Sequence, residues 1–228
     1  MTMRINKLFS NLGFCSRKET NRIIEENRVT VNGLPCRVGQ WVEDDDIILI
    51  DGEPIPKKEK IYIALNKPVG ITCTAAKEVK NNIIEYLNYP EYIFPVGRLD
   101  KESEGLIIMT NDGELSNKIL ESENEHEKEY IVKLDKEFDD EFIKGMSSGV
   151  EVCNSKTRPC KVKRIDNNTF NIVLTQGLNR QIRRMSKSFG YNVIELKRIR
   201  ILNIKIDGIE VGKWRKLTNE ELEKLKEY

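Results

Sequence analysis

The chain has 228 residues, and 38 Lys and Arg face 37 Asp and Glu, so its formal net charge is only +1. Apolar residues make up 39% and charged residues 33%, the composition of a soluble, charge-rich globular protein. That length suits one large domain or a small one joined to a medium one, and it buries a core without staples. No run approaches the roughly 18 apolar residues of a membrane span, so no membrane partner is expected, and the opening MTMRINKLFSNLGF does not read as a signal peptide.

The first sixty residues read as two helices followed by a hairpin unit. Ile5, Leu8, Phe9 and Leu12 recur at helical spacing, and Gly13 stops the turn. Ser16 with Glu19 is a capping-box pattern opening a second helix that carries Ile23 and Ile24. Val29–Val31 followed by Asn32-Gly33 signals a two-residue hairpin, and residues 46–50 form a further strand. The run 53–60 is rich in proline and charge and reads as a linker. These signals place domains at 1–54 and 61–228, with residues 55–60 between them.

The remainder reads as one α+β domain. Strands are expected at 61–65, 106–109, 130–134 and 169–174. The turn Asn111-Asp112-Gly113 leads into a short helix, 179–189 form another ended by Gly190, and 218–227 form a charged C-terminal helix. Strands and helices do not alternate cleanly, which predicts a mixed, mainly antiparallel sheet flanked by helices.

Five cysteines (Cys15, Cys36, Cys73, Cys153, Cys160) are an odd number without a CxxC pair. They argue against a disulfide framework or structural zinc and fit the reducing cytoplasm. His126 is the only histidine, and its acidic surroundings suggest a solvated surface position. Chemistry therefore falls to a carboxylate, a tyrosine or a basic side chain. Trp41 and Trp214 are expected as core or domain-edge aromatics.

Charge is segregated along the chain. Residues 1–40 hold seven basic and three acidic groups, 99–153 hold six basic and sixteen acidic, and 156–200 hold twelve basic and two acidic. This pattern leaves two readings open: a local polyanion-binding surface, or mutual neutralisation across the fold. In the helix 179–189, Ile182, Met185 and Phe189 share one face while Arg180, Arg183, Arg184 and Lys187 take much of the rest. Guanidinium groups so spaced can fork onto phosphate, and Arg158, Lys161, Lys163, Lys197, Arg198 and Arg200 add to them. Arg4, Lys7, Arg17, Lys18 and Arg22 on the first two helices form a weaker basic set suited to an RNA backbone. Asp100 stands in a polar loop before an apolar strand, beside Arg98. It suits either a nucleophile held ionised by a cation or an ordinary turn residue.

Three segments, GRLDKESEGLIIMTNDG (97–113), KEY (128–130) and GLNRQIRRM (177–185) followed by LKRIRI (196–201), together resemble the RsuA-like branch of the pseudouridine synthases. Residues 1–54 resemble the S4-type RNA-binding domain that this branch carries ahead of its catalytic domain. The resemblance implies isomerisation of uridine to pseudouridine in ribosomal RNA without metal or cofactor. NRQIRRM and the stretch Gly208, Gly212, Trp214 and Arg215 favour the large-subunit 23S RNA as partner; a tRNA and small-subunit RNA are the other substrates of that chemistry.

By the same resemblance Asp100 is the catalytic aspartate, Tyr130 stacks on the uracil, and Arg183 pairs with the aspartate. Leu196 would line the base pocket, Arg98 would contact RNA, and Arg180 and Arg184 would contact the substrate around it. A monomer is expected. A non-catalytic RNA-binding or ribosome-assembly protein is the alternative from a different class, and it has no need of the Asp100–Arg183 pair. A methyltransferase is disfavoured because Gly145–Gly149 lacks the strand–turn–helix context of a nucleotide site.

Overall fold

The computed structural model describes residues 2–76, 78–121, 125–152 and 155–228. The N-terminal unit runs β1 (Met3–Arg4), α1 (Ile5–Asn11), α2 (Arg17–Glu25), β2 (Val29–Val31), β3 (Leu34–Pro35), β4 (Trp41–Val42), β5 (Ile48–Ile50) and β6 (Glu53–Pro54). Ile5 and Phe9 pack against Ile23, Ile24, Val29, Val42 and Ile50, so both helices close one face of a small sheet. Ser16 caps α2 by accepting from the Glu19 amide at 3.0 Å. Asn32 and Gly33 both have positive φ, 51° and 78°, the two-residue turn expected between β2 and β3.

The second unit begins with β7 (Tyr62–Lys67), α3 (Ile83–Leu87), β8 (Phe94–Pro95), β9 (Glu104–Thr110), α4 (Gly113–Leu120) and β10 (Lys128–Leu134). It continues with α5 (Asp140–Ser147), β11 (Glu151–Val152), β12 (Ser155–Lys156), β13 (Lys161–Arg164), β14 (Thr169–Leu174) and α6 (Gln181–Ser188). The last elements are β15 (Val193–Ile201), β16 (Ile204–Lys205), β17 (Trp214–Lys216) and α7 (Asn219–Glu227). The main sheet has the order β13-β14-β10-β15-β9-β7-β17. Its pairings are antiparallel except β9 with β15, which is parallel and only two residues long, Glu104 with Lys197 and Gly105 with Arg198.

That short junction divides the sheet into two halves. β9 is buried on both faces: Leu106 and Ile108 join Ala64, Ile119, Ile201 and Leu225, while Ile107 and Met109 join Ile63, Leu65 and Ile83. The continuous apolar run of β9 follows from this double burial. Across the junction Val132, Leu134, Phe142, Phe170 and Met185 build a separate core under α5 and α6. Gly105 makes the junction possible. Its φ is +120°, and a Cβ there would lie 2.3 Å from the Arg198 carbonyl oxygen. Only glycine supplies both the angle and the room.

The N-terminal unit is docked on α4. Asn11 Nδ2 donates to Glu114 Oε1 at 3.2 Å, Lys60 pairs with Asp112 at 3.6 Å, and the Lys60 ammonium also donates to the Asn11 carbonyl. Asn111 ties down the end of the connecting segment by donating to the Glu59 carbonyl.

Two expectations need correction. His126 is 4% exposed, with Nδ1 at 3.1 Å from the Ile119 carbonyl and its ring edge-on to Tyr228; a backbone acceptor and a ring partner make burial tolerable despite acidic neighbours in sequence. Trp41 lies on the surface, where the Arg4 guanidinium covers its ring at 5.2 Å. Gly145 lies inside α5, where the Phe189 ring leaves no room for a Cβ. Trp214 is at an edge, against Tyr89. Cys15, Cys36, Cys73 and Cys160 are free thiols, and burial pushes Cys160 up to about 11; Cys153 lies outside the described residues. No helix among the described residues is long and apolar enough to cross a membrane.

Much of the charge segregation is mutual neutralisation. Arg200 pairs with Glu127 at 2.9 Å and Glu129 at 2.6 Å, Lys161 with Glu127, Arg164 with Asp140, Lys133 with Glu195 and Lys197 with Glu104. These pairs join the acidic segment to the basic one. The cations left over gather elsewhere.

Candidate active site

The loop between β8 and β9 carries Asp100. It is anchored by Leu99, 7% exposed in the core, whose amide donates to Cys73 Sγ at 3.4 Å. A turn closes behind it, with the Ser103 amide donating to the Asp100 carbonyl at 3.0 Å. Anchor and turn together hold the carboxylate at the mouth of the strand junction, where it retains 29% of its exposure.

Helix α6 brings the cations. Arg183 Nη1 donates to the Val193 carbonyl at 3.0 Å, and Nη2 donates to the Glu102 carbonyl at 3.2 Å and Ser103 Oγ at 3.1 Å. Its Nε is buried without a hydrogen-bond partner and lies 3.9 Å from Asp100 Oδ2. Burial, reinforced by neighbouring Arg180, lowers the Arg183 pKa, while Asp100 and Glu102 oppose that shift. Guanidinium retains its proton under such pressure. Arg180 caps α6 in the left-handed region, φ 52°. Its Nη1 donates to Glu102 Oε2 at 2.9 Å and stands 3.7 Å from Asp100 Oδ2. The Glu102 hydrogen bond raises the Arg180 pKa and lowers that of Glu102.

Asp100 opens onto a cavity of about 260 Å³, whose lining includes Arg98, Tyr130, Arg180, Arg183 and Leu196. Tyr130 bridges the two apolar cores beneath it. Leu196 is 7% exposed in the wall, and exposed Arg98 stands at the rim. The fold thus brings together six of the seven residues proposed for catalysis and substrate binding. Arg184 is the exception. It points along the outer flank of α6, where Nη2 donates to Asn179 Oδ1 at 2.9 Å, and it does not line this cavity.

Sequence reading did not bring three further groups to this site. Lys128 and His126 line the same cavity. Lys67 is fully buried close by, donating to the Pro68 and Ile71 carbonyls at 2.9 and 3.0 Å. Burial lowers its pKa, with Asp100 among the groups that oppose the shift. The one available signal was Lys128 two places before Tyr130 on a strand, which puts both on one face. Among the described residues no cluster of three or more His, Cys, Asp or Glu side chains is placed to hold a metal.

A carboxylate fixed against guanidinium groups at the edge of a base-sized cavity, in a chain that opens with a small basic helical unit, defines an RNA-modifying enzyme that acts on a nucleotide drawn out of its stack. The comparisons narrow this class. The RNA pseudouridylate synthase family model matches residues 61–188, and the S4 domain model matches residues 3–48. The chain belongs to the RNA pseudouridine synthase family.

The dual-specificity RNA pseudouridine synthase RluF of Escherichia coli K12 is 47% identical over 224 residues, covering 97% of this chain and 77% of the relative. An uncharacterized RNA pseudouridine synthase of Aquifex aeolicus is 37% identical over 234 residues, with 99% and 94% covered. The ribosomal large subunit pseudouridine synthase B of Bacillus subtilis is 31% identical over 232 residues, with 98% and 95% covered. A solved pseudouridylate synthase superposes with TM-score 0.72 at 27% identity, covering 98% of this chain and 99% of the other. The protein is accordingly an enzyme that converts uridine in RNA to pseudouridine.

Proposed function

We propose that the substrate is ribosomal RNA, with the large-subunit 23S RNA as the principal target, and that Asp100 is the nucleophile. The observation that carries the catalytic part is the approach of a buried, unpartnered Arg183 Nε to Asp100 Oδ2. The guanidinium sets a fixed positive charge against the carboxylate that attacks. The name of the Bacillus subtilis relative supports an RNA of the ribosome's large subunit; the Escherichia coli relative is named for two specificities, which makes a tRNA a second substrate to test.

In this reading the target uridine is everted into the cavity. Arg98 at the rim contacts the backbone or the partner strand left behind. The Tyr130 ring stacks on the uracil, which is worth about 1–3 kcal/mol per base, and Leu196 closes the apolar wall. Asp100 attacks the nucleotide, the N1–C1′ bond opens, the base turns while held by Tyr130, C5 bonds to C1′ as the bond to Asp100 breaks, and C5 gives up a proton while N1 takes one. Arg180 steadies Asp100 and Glu102 from the other side.

Residues 1–54 act as the RNA grip through Arg4, Lys7, Arg17, Lys18 and Arg22, residues 55–60 link, and 61–228 catalyse. The enzyme is read as a monomer, and an RNA substrate supports a cytoplasmic location. Pseudouridine mapping across all RNA from cells with and without the protein tests the substrate. One site missing from 23S RNA is the expected outcome, and a loss confined to tRNA or small-subunit RNA would overturn it.

A further inference from the structure

Asp100 is answered by Arg183 and Arg180, yet two more cations line the same cavity with no acidic partner among the described residues. Arg198 is 3% exposed; its Nε donates to the Leu106 carbonyl at 2.7 Å, while its Nη2 is buried and unpartnered. The polar contact of the Lys128 ammonium is to the His126 carbonyl at 3.3 Å. A buried guanidinium nitrogen left without an acceptor is costly to a folded chain, and because Arg198 lines the cavity, a substrate seated there can supply the acceptor.

The backbone keeps these cations apart from nearby acids. Glu129 pairs with Arg200, but the next residue, Tyr130, pairs with Arg198, so Ile199 is an extra residue in β15. Without this bulge Arg198 and Arg200 would share a face of the strand. With it, Arg200 turns to Glu127 and Glu129, and Arg198 faces the cavity directly across from Tyr130. Lys128 is two residues from Tyr130 on the same strand, and it too faces inward.

We infer that Arg198 and Lys128 form an anion site for the uracil itself, binding its carbonyl oxygens and holding the negative charge that the ring acquires during isomerisation. When the N1–C1′ bond breaks, its electron pair passes to the ring and spreads over N1 and the carbonyl oxygens. C5 then bonds to C1′, one proton leaves C5 and one is taken up at N1, so product and substrate are isomers and no co-reactant is consumed. Attack of Asp100 at C6 would likewise move the C5–C6 pair onto the oxygen at C4, so the site serves either route. Charged donors fixed where charge develops are an effective form of transition-state stabilisation. Burial, with Arg198 adding repulsion, pushes Lys128 down to about 8, so near neutral pH it is still an ammonium.

This assignment rests on the reading of Asp100 as nucleophile. The test compares single-turnover isomerisation and RNA binding, on total RNA from cells lacking the protein, for wild type, Asp100→Asn, Lys128→Met, Lys128→Arg and Arg198→Lys. Lys128→Met should slow the chemical step about 100-fold with affinity within twofold of wild type, Lys128→Arg should restore at least about a tenth of the rate, and Arg198→Lys should slow the step while melting normally.

If affinity falls in step with rate and the salt slope drops by about 0.7, Lys128 is a phosphate contact and the inference is wrong. A normal rate in Lys128→Met, or no recovery in Lys128→Arg, also overturns it. An inactive Asp100→Asn beside a normal Lys128→Met would sink the anion site alone; a fully active Asp100→Asn would sink the catalytic reading with it.

Discussion

Arg183 Nε faces Asp100 Oδ2 across 3.9 Å, while both terminal nitrogens of the same guanidinium are held by Val193, Glu102 and Ser103. The cation is therefore fixed by its own strand and loop contacts and does not depend on Asp100 for its position. Asp100→Asn should leave Arg183 in place and the cavity intact. Isomerisation should be abolished while RNA affinity stays within a few-fold of wild type. Gel-based turnover and filter binding on the same preparations check this, and normal turnover in the variant would withdraw Asp100 from the reaction.

Arg183→Lys is the sharper substitution. Lysine keeps the charge but cannot reach three acceptors with a planar fork. The rate should fall about 100-fold or more, with a smaller loss of RNA affinity. Equal losses in rate and affinity would make Arg183 a plain phosphate contact.

Asp100, Tyr130, Arg183, Leu196, Arg180 and Arg98 were legible because each lies in a motif whose order along the chain is a family signature. The strands were legible where β-branched runs meet turn residues, as at Thr169–Leu174. Lys67, His126 and Lys128 were not. Charged and titratable side chains read as surface until a fold supplies backbone carbonyls for them, and the acceptors of Lys67 come from a turn that follows β7. The distinct fates of Arg198 and Arg200 were equally hidden, since a bulge in β15 depends on pairing with β10. Arg184 stands apart from the cavity. Its neighbours on the helix reach the cavity, but its own direction on α6 carries it outward.

Gly105 should tolerate no side chain. Gly105→Ala places a methyl against the Arg198 backbone at 2.3 to 3.0 Å and adds strain at φ +120°. Overpacking and strain together should cost about 3 kcal/mol, read as a lower denaturant midpoint at unchanged slope. Because the clash falls on the residue that also faces the cavity, any folded fraction should isomerise slowly.

Lys128 links activity and stability to pH in opposite senses. Its folded pKa of about 8 lies below its ordinary value of 10.5, through burial first and Arg198 second. Between those values the unfolded chain binds the extra proton, so this group's contribution to stability rises as pH rises from about 8 to 10.5, and its cost is fully present below 8. The ammonium needed at the uracil is lost over the lower part of the same window. Wild-type turnover should therefore decline above about pH 8 while this part of the stability improves. Lys128→Met should show neither trend, by turnover profiles and by denaturant titrations at pH 7 and 10. A variant that kept the alkaline gain in stability would assign it to another group.

The N-terminal unit makes unequal use of its cations. Lys18 is paired with Glu78 at 3.6 Å, Arg22 with Glu19 and Glu26, and Arg4 covers Trp41. Lys7 and Arg17 make no ion pair among the described residues. Exposed pairs are weak, typically about 0–1 kcal/mol, so RNA can displace them, but a phosphate gains more from a cation with no acid to leave. Arg17→Glu should therefore weaken RNA binding more than Lys18→Glu does. Deleting residues 1–60 should lower affinity further and flatten its salt dependence, by about 0.7 to 0.9 in slope for each phosphate no longer neutralised. Binding isotherms between about 50 and 200 mM salt, the range over which phosphate neutralisation tells, measure both, and an unchanged slope after the deletion would remove this unit from the RNA grip.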